Sequence, residues 1–226
     1  MLSEPALALT DLALGVAVVG VALALRGQPH VAGAWHRMFW WTAAAAIAGF
    51  VHHGWVAFSD VLDGPGGIVV SAMIIVAISY LLAASVHEVL GPGRRVVFWA
   101  MRLTSLAAYG GLALVGRAGI GSLVLAESAT MIAVVALWAW ALHRRHPLAP
   151  RVVAALGASA VAALTTLLPD AATMAVALDP VSLYHLAQVP GIVMLAHAVT
   201  RPRPAGVVSA FSTPEMPTAT TNSTLT

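Results

Sequence analysis

Hydrophobic residues in this chain run in blocks of about 20, separated by short breaks of polar residues, glycine and proline. A helix that crosses a hydrocarbon core about 30 Å thick needs about 20 apolar residues, because each adds about 1.5 Å of rise. Seven blocks meet that length: Pro5 to Leu25, Trp35 to Phe58, Gly67 to Leu90, Val96 to Val115, Ile120 to Leu142, Pro150 to Leu168 and Pro180 to Thr200. The breaks include Gly64-Pro65-Gly66-Gly67, Gly91-Pro92-Gly93, His146-Pro147 and Pro169-Asp170, whose backbone preferences end helices. The first block follows the acidic start MLSEP and continues to Leu25 before meeting Arg26. It is too long and wrongly charged for a cleaved signal peptide and is predicted to be the first span.

Charge supplies an independent check on the count, because cytoplasmic loops collect arginine and lysine. Arg26 and Arg37 flank the first break, Arg94 and Arg95 the third, and Arg144, Arg145 and Arg151 the fifth, while Arg201 and Arg203 follow the last block. Those nine of the eleven arginines fall on one side of a seven-span arrangement, and only Arg117 falls in a loop on the other. Glu4, Asp60, Asp63, Asp170 and Asp179 take the opposite loops. The expectation is an all-α, multi-pass protein of the cell membrane: a seven-helix bundle over residues 1–203 with its N-terminus outside and its C-terminus in the cytoplasm. Residues 204–226 are rich in Ser, Thr and Pro with little to bury, and are expected to be a disordered cytoplasmic tail.

Composition narrows the chemistry. The chain is 60% hydrophobic and 9% charged, against about 25% charged in a soluble domain. With no cysteine, disulfides, thiolate metal sites, iron–sulfur clusters and cysteine nucleophiles are excluded. All eleven cationic side chains are arginine, so no lysine imine can form and a retinal photoreceptor is excluded. No nucleic-acid motif is present, and nothing in the sequence reports an oligomeric state.

Ionisable groups inside spans are costly and so are candidates for function. Asp11 lies six residues into the first span, His52 and His53 near the outer end of the second, Glu127 in the fifth, and Tyr184, His185 and Gln188 in the seventh. Asp11, His53, Glu127 and His185 are thus expected at one depth in the outer half of the bundle. Histidine and carboxylate at a common level suit a zinc or similar divalent site. Pro190 leaves the carbonyl of Leu186 without its helical partner beside His185, able to accept a hydrogen bond from a ligand imidazole. Two other readings stand beside this one: a structural polar network, and interfacial His, Trp and Tyr with no site. Neighbours on a helix point about 100° apart, so His52 and His53 are not expected to face inward equally. Arg102 is expected to snorkel or to pair with Glu88, and His143 and His146 to contact lipid headgroups.

Glu4-Pro5, Thr10-Asp11, the span-2 histidine and Tyr184-His185-Leu186-Ala187-Gln188 resemble a bacterial family of seven-helix membrane proteins, and more distantly the CREST superfamily of alkaline ceramidases and adiponectin-receptor-like hydrolases. The resemblance implies seven spans and zinc-dependent hydrolysis of a lipid, with His53 and His185 as ligands. In the superfamily pattern a serine precedes the span-2 histidine by four residues, span 3 carries an aspartate, and span 7 a second histidine. Here Gly49 holds the serine position, helix 3 has Glu88 only at its inner end, and Val189 stands four residues after His185.

Three functions follow as expectations. The first is a metal-dependent hydrolase of lipid amides or esters, with His53, His185 and Asp11 as zinc ligands and Asp11 or Glu127 as catalytic base. The second is a non-enzymatic membrane protein whose polar cluster is structural or binds a lipid or other small ligand. The third is haem ligation by paired histidines.

Overall fold

The computed structural model describes residues 4–117, 120–173 and 176–201. Among them all regular structure is helical. Seven long helices follow in order: α1 (Pro5–Leu25), α2 (Gly33–Gly54), α3 (Asp63–Leu90), α4 (Arg95–Leu114), α5 (Ile120–His143), α6 (Ala149–Leu164) and, after the single turn α7 (Asp170–Thr173), α8 (Pro180–Thr200). The expected tail, 204–226, lies outside the described residues.

Helix starts follow local chemistry. Pro5 opens α1 and Pro180 opens α8, where a missing N–H costs nothing and the fixed φ suits the first turn. The Gly64-Pro65-Gly66-Gly67 break expected before α3 is instead its first turns, and the helix begins at Asp63. The physical reason is again positional: Pro65 falls where N–H groups have no helical acceptor, and Asp63 places a negative charge at the positive end of the dipole. Helix α3 stops at Gly91, whose φ of 85° is one that L side chains rarely adopt.

Five of the helices, α1, α3, α5, α6 extended by its following turn, and α8, are long and apolar enough to cross a membrane. Helices α2 and α4 have comparable length, 22 and 20 residues. Their apolarity is interrupted by His36, Arg37, His52 and His53 in the one, and by Arg95 and Arg102 in the other. Every long helix still presents large apolar side chains outward, among them Leu9, Val16, Ile47, Val69, Leu103, Ile132, Val161 and Val193. Such a surface suits lipid and not water.

The helices pack α1 on α2 and α8, α2 on α3, α3 on α4 and α5, α5 on α6, and α6 on α8. The core is built from a few large anchors, Trp35, Phe39, Val18, Val134 and Trp138, set among alanines. Trp138 Nε1 donates to Ser85 Oγ at 2.9 Å, and Ser85 Oγ in turn donates to the Leu81 carbonyl at 2.8 Å. His146, expected at lipid headgroups, is buried against the Trp138 ring, and its Nδ1 faces the Leu148 N–H at 3.4 Å. The bend after α5 turns this imidazole inward, which the basic neighbours Arg144 and Arg145 concealed.

Small residues set the closest approaches. At Gly191 in α8, an added Cβ would meet the Ser159 hydroxyl, and would lie 3.1 Å from the Ser159 nitrogen and 3.3 Å from the Ala155 carbonyl of α6. Gly191→Ala is therefore expected to destabilise the protein by about 1–3 kcal/mol, the usual cost of overpacking. Thermal unfolding in detergent checks this, and adding Ser159→Ala should recover only part of the loss, since two backbone contacts remain.

Candidate functional site

The site begins with Asp11. Six residues into α1, its carboxylate is buried, with 5% of the residue exposed. Its Oδ1 lies 3.0 Å from His185 Nδ1 of α8, and its Oδ2 lies 4.0 Å from His53 Nε2 of α2. One carboxylate therefore joins three helices. The other ring nitrogen of His53, Nδ1, is hydrogen-bonded to Glu4 Oε2 at 2.6 Å, and the Glu4 N–H donates to the His53 carbonyl at 3.0 Å. Glu4 thereby pins the end of α2 to the start of α1 and fixes the His53 ring with Nε2 toward Asp11.

Gly49 makes room for this arrangement. A Cβ built there would lie 2.5 Å from Asp11 Oδ2 and 2.9 Å from its Cγ. The serine of the superfamily pattern has no space at this position, because the Asp11 carboxylate occupies it. Gly49 in α2 and Asp11 in α1 are two sides of one packing solution.

His52, one residue earlier, points elsewhere. It is buried toward α3, with Nε2 3.4 Å from Asp63 Oδ1 and its ring close to the backbone of Gly66. Both histidines are thus packed, on different neighbours, as a 100° step allows. His53 serves the α1 contact and His52 the α3 contact. A cavity of about 390 Å³, lined by Ala48, Val51, Val56, Gly66, Val69, Val70 and His52, lies between α2 and α3 beside this pair.

Glu127 makes no ion pair with these three among the described residues. It is half-buried on α5, within electrostatic reach of Tyr184, whose hydroxyl accepts a hydrogen bond from the Gln188 amide one turn along α8. Asp11, His53 and His185 meet; Glu127 neighbours the same helix, α8, through Tyr184.

The start of α8 is set by Asp179. Its Oδ1 accepts from the Val181 and Ser182 N–H groups, both at 2.9 Å, and its Oδ2 accepts from the buried Ser182 hydroxyl. This N-cap satisfies donors that the first turn leaves over and fixes the register of His185, three residues beyond Ser182.

The donor set can be tested against a divalent ion. Tetrahedral zinc with bonds of about 2.0–2.1 Å places neighbouring donor atoms about 3.3 Å apart. The distances at Asp11 run from different oxygens, 3.0 Å from Oδ1 to His185 and 4.0 Å from Oδ2 to His53, so the first is near that spacing and the second is longer than it. His185 Nδ1 is buried and, despite its proximity to Asp11, makes no well-aligned hydrogen bond. The Glu4–His53 pair is the carboxylate–histidine arrangement that orients metal-binding imidazoles. The donor chemistry fits a zinc-like ion. The set is not closed as it stands: among the described residues no three His, Asp or Glu side chains already have metal-holding geometry. The opening is on the His53 side, where Asp11 is 4.0 Å away.

Glu4, Gly49, Asp63 and Asp179 are site residues that sequence reasoning did not assign. Glu4 and Asp179 each stand immediately before the proline that opens a helix, and an acidic residue at that place was the signal available.

Residues 6–204 match a family of unknown function, DUF6962, and the chain belongs to it. No curated protein and no solved structure matches the chain.

Burial alone pushes the Asp179 carboxyl up, yet hydrogen bonds from the Ser182 side chain and from the Ser182 and Val181 backbone together hold it below its ordinary 3.8. Its folded-state value is depressed, so the cap stabilises fully above the unfolded value and is lost as pH falls through the folded one. Asp179→Ala is expected to cost about 0.5–2 kcal/mol near neutral pH. Thermal unfolding of both proteins should show that gap closing below about pH 4, the ordinary carboxylate range.

Proposed function

We propose that this family member is a seven-span protein of the cell membrane, N-terminus outside, with a divalent-cation centre in the outer half of the bundle serving hydrolysis of a lipid amide or ester. The observation that carries the reading is the placement of the Asp11 carboxylate between His185 Nδ1 and His53 Nε2, with Glu4 orienting His53 from behind.

In this reading His53, His185 and Asp11 hold the ion. When bound, a zinc-like ion supplies Lewis acidity that activates water and polarises a carbonyl. The chain's own residues do the rest. Glu4 fixes the His53 tautomer, so that Nε2 offers a lone pair toward the centre. Asp179 sets the height of His185 by capping α8. Glu127, beside Tyr184, is the carboxylate left over to take and return a proton. Membrane lipids are the substrates this reading assigns to the site, and the exposed apolar flanks of α1, α2 and α8 support it.

A second reading is favoured by a separate observation: the Glu4–His53 and Asp11–His185 contacts link α1, α2 and α8 directly, and no closed ligand set exists among the described residues. In that reading the cluster is a polar network that joins α1, α2 and α8 in a non-enzymatic protein.

Metal analysis separates the two. The purified protein is expected to carry about one zinc per chain, and His185→Ala or His53→Ala to lower both metal content and unfolding temperature, because binding energy contributes to folding. Metal at background in the unmodified protein would leave the network reading.

The orientation follows from the arginines, nine of which lie on the side opposite Glu4 in a seven-span arrangement. A reporter fused after residue 203 should behave as cytoplasmic. A periplasmic signal would overturn both the span count and the assignment of α2 and α4 as spans.

A further inference from the structure

Two arginines converge on one tyrosine in the half of the bundle away from Asp11. Tyr80 lies 17 residues after Asp63 in α3, about 26 Å along the axis at the helical rise. The guanidinium of Arg102, from α4, stacks 4.3 Å from the Tyr80 ring centre and also lies 5.3 Å from Trp99 and 5.8 Å from Phe98. The guanidinium of Arg37, from α2, lies 5.9 Å from the same Tyr80 ring. Arg26 over Trp40 and Arg144 over Trp140 are single pairs of the kind that anchor helices at an interface. Tyr80 differs because two positive charges share one ring.

Neither guanidinium has a carboxylate within ion-pairing distance or a hydrogen-bond acceptor among the described residues. Glu88, the other acidic residue of α3 besides Asp63, is eight residues from Tyr80, about 12 Å along the axis. The expected Arg102–Glu88 pair is replaced by stacking on aromatic rings. Stacking holds each guanidinium plane but uses none of its five N–H donors. Two like charges with unused donors gathered at one ring, one of them half-buried, suit an anion with several acceptors. Phosphate meets this, since its oxygens accept the paired N–H groups of arginine.

We propose that Arg37, Tyr80 and Arg102 form a binding site between α2, α3 and α4 for the phosphate of an anionic phospholipid. The lipid source is favoured over a free phosphate by position. Arg102 lies seven residues into α4, about 10 Å from its start, and the exposed Val96, Trp99 and Leu103 of the same helix offer apolar surface for acyl chains. This site is separate from the histidine–aspartate cluster and does not depend on the function proposed for it.

The test uses the full chain in detergent. Phosphatidylglycerol should raise its unfolding temperature and remain bound in native mass spectrometry, while phosphatidylcholine of the same chain length should do neither. Arg37→Gln should weaken the apparent phosphatidylglycerol affinity about fivefold, and Arg37→Gln with Arg102→Gln by more, since each arginine near an anionic lipid contributes about that factor. Arg145→Gln, an exposed arginine outside the site, should leave it unchanged. If the double variant does not fold, the exposed Arg37→Gln alone decides. Equal affinity in Arg37→Gln and the unmodified protein, an equal loss in Arg145→Gln, or no preference over phosphatidylcholine would overturn the proposal. Inorganic phosphate or glycerol phosphate giving the same stabilisation at the same concentration would overturn the lipid source and leave a free-phosphate site.

Discussion

A carboxylate in the apolar interior of a helical bundle must be matched by donors or a cation, and Asp11 imposes that constraint on three helices at once. A charged aspartate at the centre of a spanning helix costs about 2.5–3.5 kcal/mol on insertion scales. Here the side chain is turned inward, where two imidazoles from α2 and α8 face it. Much of the surrounding sequence follows from this one placement. Gly49 must lack a side chain, because a Cβ would enter the carboxylate. Glu4 must reach back across the helix end to hold His53. Asp179 must start α8 at a fixed residue so that His185 arrives at the right height.

The two ends of the bundle solve opposite electrostatic problems. At the Asp11 end, histidines and acidic residues meet in close contacts between side chains of different helices. At the other end, arginines lie on aromatic rings, Arg26 on Trp40, Arg102 on Tyr80 and Arg144 on Trp140. Aromatic faces attract cations without neutralising them, which leaves net positive charge at that end. A bundle with one end internally paired and the other carrying unneutralised guanidinium groups is suited to a membrane whose inner leaflet is anionic.

Between these ends the packing relies on close backbone approach more than on large side chains. Gly15 lies against Ile47 and Gly49 against Asp11 between α1 and α2, Gly66 against His52 between α2 and α3, and Gly191 against Ser159 between α6 and α8. Association of helices in lipid gains little from hydrophobicity, and small residues that let backbones approach supply the dispersion contacts instead. Outward-facing leucine, valine and isoleucine then meet lipid.

The helices themselves were legible in the sequence, because the length and polarity of a spanning segment are local properties. The blocks Pro5 to Leu25 and Pro180 to Thr200 coincide with α1 and α8, and the others differ by at most four residues at either end. Where a boundary moved, as at Asp63, the rule about proline depended on position within the first turn, which composition does not reveal. Asp11, His53 and His185 could be singled out one by one, since burying an ionisable group in lipid is costly wherever it occurs. Which of them touch was decided only by rotation and register in three dimensions. Rotation of α2 sent His52 to Asp63 and His53 to Asp11, and α5 brought Glu127 within electrostatic reach of Tyr184. Packing of α4 on α3 likewise laid Arg102 on the Tyr80 ring, and the bend after α5 drew His146 under Trp138. A sequence fixes how deep a residue lies along its helix, but the direction it faces is set by the neighbours that the helix packs against, and contacts depend on both.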